Sequence, residues 1–251
     1  MKLPKPYRRI VRPFQALNVT FFGNSDETAY VFHNRYASDR FEIIRAYHIL
    51  EKDLISLFEY IEPTDANLST YSYRIYELLL RAATEFELNC KYILIANNYN
   101  SQGHTNITDY FKINAATRLN EYRLFINIWG NGKKEFRPLS DWTNGHALTW
   151  YQAYNSVKHN RKNEFARASL NNLILAVGSV FSLVFAQFNY LLFTQYQATS
   201  MFEYEPNTHE QSSANGLFSI IPPQTWTDPE MYDFDWNALR TTADPFTDYA
   251  F

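Results

Sequence analysis

The chain has 251 residues, of which 46% are hydrophobic and 20% are charged, and its formal net charge is -3. These proportions are typical of a globular protein with a buried core, and they exclude a disordered chain. The single cysteine, Cys90, excludes an internal disulfide. The six histidines have no carboxylate or cysteine at ligand spacing, so neither a metal site nor a cofactor is expected. No glycine-rich phosphate loop and no motif for sequence-specific DNA recognition occurs.

Charge is distributed unevenly along the chain. Residues 1–13 contain five basic residues and no acidic one, and we predict that 1–37 form a basic, irregular segment. Residues 200–251 are acidic, aromatic and interrupted by prolines, which predicts an irregular tail packed on the body of the protein. The tail is either a solvated end or a segment that covers a basic surface and competes there with an anionic ligand. The first residues lack the apolar core of a secretory signal, which favours the cytoplasm.

Apolar residues recur at three- and four-residue steps through most of 38–199, which predicts a helical domain. The pattern predicts helices at about 40–61, 68–97 and 110–119, a helix through Lys158 that either continues or breaks at 160–163, and a long apolar helix ending near Gln197. Before the fourth helix, Gly130-Asn131-Gly132 separates two β-prone runs, which predicts a hairpin near 121–139. We therefore expect a mainly α fold: an antiparallel bundle of four to five helices with a small inserted β-hairpin and an irregular C-terminal tail.

The run from Leu173 to Phe193 raises the question of a membrane span. It continues for roughly 20 residues without a charged side chain, which is the length that crosses a bilayer. It also contains polar residues, among them Ser182 and Gln187, and no lysine or arginine follows its far end. Because a helix buried on all sides of a bundle is equally apolar all round, we predict a core helix rather than a membrane anchor.

The segment with the most functional chemistry lies in the fourth predicted helix. On a helix, Tyr151, Asn155 and His159 share one face because they are four residues apart. Lys158 and Arg161 are three residues apart on a neighbouring face. An imidazole, an amide and two cations gathered in this way suit a phosphate, which the cations neutralise while the histidine can move a proton.

Aromatic residues of the same helix extend this interpretation. Trp150, Tyr151 and Tyr154 are candidates for stacking on unpaired bases. The structural alternative is that these rings pack in the core and that the cations meet the negative end of the helix dipole.

A second charged cluster lies on the second predicted helix. Arg81 and Glu85 are four residues apart, which is typical of a surface ion pair worth a few tenths of a kcal/mol, on the order of 0.3. The alternative is that a carboxylate of this helix turns inward and orients His159 or Arg161 across the bundle.

The helical residues 76–87, the later 154–161 and the long apolar helix together resemble proteins of the HEPN superfamily, which are small helical bundles common in bacterial toxin and defence systems. The resemblance covers about 40–195. It implies a homodimeric bundle and, in active members, metal-independent RNA cleavage by an arginine and a histidine four to six residues apart. His159 matches that histidine, but positions 152–154, where the arginine would lie, hold glutamine, alanine and tyrosine.

Two functional hypotheses follow. In the first, the protein binds RNA or another phosphate-bearing ligand and is a candidate ribonuclease: His159 is the general base on a ribose 2′-hydroxyl, Lys158 and Arg161 stabilise charge on the phosphate, and Asn155 positions it. The alternative is a non-catalytic interaction or dimerisation module in which Asn155 and His159 are internal hydrogen-bonding residues.

Overall fold

The computed structural model describes residues 3–15, 28–100, 103–189, 202–213 and 216–251. These residues form six α-helices and five β-strands. The helices are α1 (Arg40–Phe58), α2 (Tyr73–Ala96), α3 (Ile107–Thr117), α4 (Thr149–Glu164), α5 (Leu170–Phe188) and α6 (Trp236–Leu239). The strands are β1 (Arg123–Trp129), β2 (Gly132–Phe136), β3 (Phe202–Glu205), β4 (Glu210–Ser213) and β5 (Phe218–Ile221).

The five strands form one antiparallel sheet in the order β2-β1-β5-β4-β3. β1 and β2 are the predicted hairpin, which turns at Gly130 and Asn131. β5 comes from the tail and pairs with β1 on one side and with β4 on the other. The expectation of a mainly α bundle with an inserted hairpin and an irregular tail is therefore wrong. The fold is mixed α and β, and the predicted tail supplies three of the five strands.

The tail forms strands because its apolar residues become buried when they pair with the hairpin. Ile220 lies opposite Leu124 of β1, and both side chains are 0% exposed. All four residues of β5 are buried, so the strand shows no alternation of apolar and polar positions. A strand that is buried throughout and only four residues long cannot be recognised by a period of two, which is why the sequence pattern missed it.

Side-chain caps fix where three of the helices begin. Ser72 accepts a hydrogen bond from the amide of Ile75 at the start of α2, and Ser169 accepts one from Asn172 at the start of α5. Asn106 and Asp109 form a reciprocal capping box at the start of α3. These caps place the helix starts within a few residues of the predicted positions.

Helix α5 is the centre of the core. It packs against α1, α2 and α4, and every side chain from Ala176 to Phe188 is buried. It also has the length and hydropathy of a membrane span, but 83% of its apolar window lies inside the protein. This burial is what we predicted for a core helix. The predicted continuation from 190 to Gln197 lies outside the described residues.

The N-terminal segment and the tail bind each other. The guanidinium of Arg8 binds two carboxylates of the tail: its Nη2 lies 2.5 Å from Asp244 Oδ2, and its Nη1 contacts Asp248. The guanidinium of Arg12 is almost fully buried and donates hydrogen bonds to the carbonyls of Ala116 and Glu230. The acidic tail therefore packs on the basic N-terminal segment. Positions 16–27 of this segment lie outside the described residues.

Candidate functional site

Helix α4 carries the segment that the sequence singled out. Its buried residues are Trp150, Ala153, Tyr154 and Val157, which follow one another at three- and four-residue steps and face α2 and α5. The helix is interrupted at Asn160, whose φ of -141° and ψ of 53° are not helical. Of the two alternatives that the sequence left open, continuation or a break at 160–163, the structure shows a kink at Asn160, which separates the residues up to His159 from a further turn that begins at Arg161.

The predicted catalytic residues lie on both sides of this break, and all three are exposed. The Nζ of Lys158 donates a hydrogen bond to the hydroxyl of Tyr154 at 3.0 Å, and this bond raises the pKa of Lys158. Lys158 is therefore protonated at neutral pH. The guanidinium of Arg161 lies over the Tyr73 ring, with 5.4 Å between its central carbon and the ring centroid. The two cations are thus held by different aromatic partners.

His159 lies between these cations with its ring in solvent. Among the residues that the structure describes, none donates a hydrogen bond to its ring or accepts one from it, and Asn155 is half-buried one turn away without contacting it by a hydrogen bond. The alternative in which Asn155 and His159 are internal hydrogen-bonding residues does not agree with the exposed position of His159. The imidazole is accessible, but no described side chain fixes its orientation.

Burial corrects the predicted stacking residues. Trp150 is 0% exposed and its Nε1 donates to the carbonyl of Pro138, while Tyr154 is 3% exposed. Neither ring can receive a base, because both faces are covered by the core. Tyr151 is half-buried, and its hydroxyl donates to Glu87 Oε1 at 2.8 Å. Burial and the neighbouring Glu87 raise the pKa of Tyr151 well above its usual range.

The charged cluster of α2 divides between two faces. An Arg81 Nη1 lies 2.5 Å from Asp53 Oδ2 of α1, and Arg81 and Glu85 line a cleft of about 310 Å³ between α1 and α2. Burial raises the pKa of Glu85, and the charge of Arg81 partly offsets this effect. Both residues thus face α1 and not the end of α4, so neither orients His159 or Arg161. The carboxylate that reaches α4 is Glu87, and it binds Tyr151.

Four aromatic side chains beside Arg161 form what we call the aromatic shelf: Tyr71, Tyr73, Tyr76 and Phe165. The Phe165 ring is central, with centroids 4.8 Å from Tyr73 and 5.4 Å from Tyr71. Arg161 lies over both Tyr73 and Tyr76. Sequence reasoning missed the shelf. Its one local signal is the pair of tyrosines that flank the helix cap Ser72.

The chain after the break is strongly cationic. Residues 158–167 contain four basic residues and one acidic residue, Glu164, which pairs with Arg167 at 2.5 Å. The other three, Lys158, Arg161 and Lys162, are exposed and form no ion pair with a described residue, and the charge of Glu87 adds to the raised pKa of Lys158. We call these three residues the basic turn. A positive surface of this kind attracts anions to a chain whose net charge is negative.

The described residues contain no group of three His, Cys, Asp or Glu side chains placed to hold a metal ion. The site is therefore defined by its cations, one imidazole and the adjoining rings. Comparison of the chain with protein-family models, with curated proteins and with solved structures finds no match.

Proposed function

We propose that the protein binds RNA at the basic turn and does not cleave it. The observation that carries this proposal is the exposure of Lys158, Arg161 and Lys162 within five residues of the chain, none of them in an ion pair with a described residue. Cations this near in the chain repel one another, and an anion that binds to them reduces that repulsion. The resemblance to HEPN proteins supports RNA as the anion.

The shape of the surface favours a polymer over a small phosphate compound. The three cations are spread over a broken turn at an exposed helix end, where they can contact successive phosphates of one strand. Each phosphate neutralised in this way releases condensed counterions, which is the main source of affinity in non-specific RNA binding. The tail does not compete at this position, because its acidic residues pair elsewhere, for example Asp244 with Arg8 and Glu230 with Arg118.

The surroundings of His159 argue against catalysis. A general base acts efficiently when a second group holds its ring in the required orientation and tautomer. No described side chain does so for His159. The arginine of the HEPN pair is also replaced, since Gln152, Ala153 and Tyr154 occupy its place and Tyr154 is buried.

The proposal predicts binding that weakens steeply with salt. Three phosphate contacts on a single strand give a slope of about -2 in a plot of log affinity against log salt concentration, so affinity falls about 20-fold between 50 and 200 mM salt. Fluorescence anisotropy with a labelled ten-nucleotide single-stranded RNA measures this slope. Absence of binding at 50 mM salt, or binding that does not depend on salt, would contradict the proposal.

For His159→Ala we expect RNA affinity and thermal stability close to those of the wild type, with affinity changed by no more than about two-fold, because the ring is exposed and makes no described hydrogen bond. Wild-type protein incubated with the RNA in EDTA is expected to leave the oligomer intact. Gel analysis checks this result. Cleavage that disappears in His159→Ala would show that the protein is a ribonuclease after all.

A further inference from the structure

The aromatic shelf exposes more ring surface than packing requires. Tyr73 is 62% exposed and Tyr71 is 50% exposed, although both rings contact Phe165. A tyrosine that served only the core would bury most of its ring, as Tyr47 and Tyr110 do elsewhere in this chain at 1% exposure. More than half of Tyr73 and half of Tyr71 therefore remain in contact with solvent and accessible to a flat partner.

The shelf is held in place by backbone hydrogen bonds. The amide of Leu170 donates to the carbonyl of Thr70 at 2.8 Å, and the amide of Asn171 donates to that of Leu68 at 2.9 Å. These bonds tie the segment before α2, which carries Tyr71, to the first two residues of α5, and Phe165 lies five residues before α5 in the chain. Because the rings are positioned before any ligand arrives, a ligand does not have to spend binding energy on ordering them.

Arg161 connects the shelf to the basic turn. Its guanidinium lies over the rings of Tyr73 and Tyr76, at 5.4 and 5.6 Å from their centroids, while its side chain stays exposed. A phosphate bound by Arg161 therefore lies within one nucleotide of the Tyr73 ring. This adjacency of cation and open ring is the arrangement by which proteins bind single strands: the backbone follows the charge, and the bases stack on the rings.

We propose that the aromatic shelf stacks unpaired bases of the bound RNA and so makes the site selective for single strands. This inference rests on the proposed RNA binding and adds the ligand class. Bases in a duplex are already stacked on each other and cannot reach Tyr71 or Tyr73, so a duplex gains only the phosphate contacts of the basic turn. An abasic strand likewise gains only the phosphate contacts, because it has no bases to stack on the rings.

The test compares three labelled ligands at one salt concentration: a ten-nucleotide single-stranded RNA, an abasic strand of the same length and an RNA duplex. The protein variants are Tyr71→Ala with Tyr73→Ala, the conservative Tyr73→Phe, and Tyr60→Ala as a matched control. Tyr60 is 85% exposed and makes no ring contact with any described residue. Thermal melting of each variant verifies that the fold is kept.

We expect the double alanine variant to bind single-stranded RNA about 10-fold more weakly than the wild type, and to bind the abasic strand and the duplex unchanged. Tyr73→Phe and Tyr60→Ala should keep wild-type affinity for all three ligands. Base stacking on the shelf would be contradicted if the wild type and the double variant bound RNA equally tightly, or if abasic RNA bound as tightly as ordinary RNA. Neither result would contradict RNA binding at the basic turn. If the wild type binds none of the ligands, the proposed function fails, and the shelf fails with it.

Discussion

Replacement of both Lys158 and Arg161 by alanine is expected to weaken RNA binding about 25-fold at 0.1 M salt and to lower the magnitude of the salt slope by about 1.4. The reason is that each cation neutralises one phosphate of a single strand, and the two contacts release counterions that are no longer released in the variant. Both side chains are exposed, so the fold should be unaffected. Anisotropy titrations at several salt concentrations give the affinity and the slope together.

A charge-matched control separates a local site from a general charge effect. Lys52 and Arg240 are also exposed, and they lie on α1 and in the tail, away from the basic turn. Lys52→Ala with Arg240→Ala changes the net charge by the same amount. This variant should keep the wild-type affinity and slope. If both double variants lose affinity equally, the protein attracts RNA only by its overall charge, and the basic turn is not the site.

Ile220→Asp is expected to lower the free energy of unfolding by more than about 4 kcal/mol. Ile220 is 0% exposed and lies in β5, where its backbone pairs with Leu124 of β1 and with Gln211 of β4. A carboxylate there would be buried without a cation, in a strand on which both neighbouring strands depend. Since natural domains are stable by about 5–15 kcal/mol, such a loss removes much of the total. Urea denaturation followed by circular dichroism measures it.

Ile128→Asp is the matched control for this substitution. Ile128 belongs to β1 of the same sheet, but its side chain is 56% exposed, so an aspartate remains solvated. We expect a change in the free energy of unfolding within about 0.5 kcal/mol. Similar stability of Ile220→Asp and Ile128→Asp would mean that β5 is not part of the sheet and that the tail is dispensable for folding.

The elements that the sequence predicted correctly are those with local signals. Helices α1 to α5 follow from apolar periodicity, and the break at Asn160 follows from a run of polar residues. The hairpin follows from the turn at Gly130 and Asn131. The three strands of the tail lack such signals, because they are four residues long and β5 is buried throughout. Their pairing depends on β1, far away in the chain.

The residues of the candidate site were likewise predictable only where the sequence carries a local signal. Lys158 and Arg161 of the basic turn were singled out from their spacing, whereas Lys162 was not. The assignment of Trp150 and Tyr154 to base stacking failed, although the steps between Trp150, Ala153, Tyr154 and Val157 mark a core face. The shelf could not be predicted, because it brings Tyr71 and the first turn of α2 together with Phe165 after α4. Such contacts become visible only when the packing of the two helices is known.

The position of β5 beside β1 has a consequence for synthesis on the ribosome. The hairpin is complete at Phe136, but the strand that covers its open edge ends at Ile221, and about 85 residues take roughly 4 to 17 s to translate. During that interval the hydrogen-bonding groups of β1 that later face β5 remain unpaired, and they form an aggregation-prone edge. Chains released before β5 is made are therefore expected to require a chaperone.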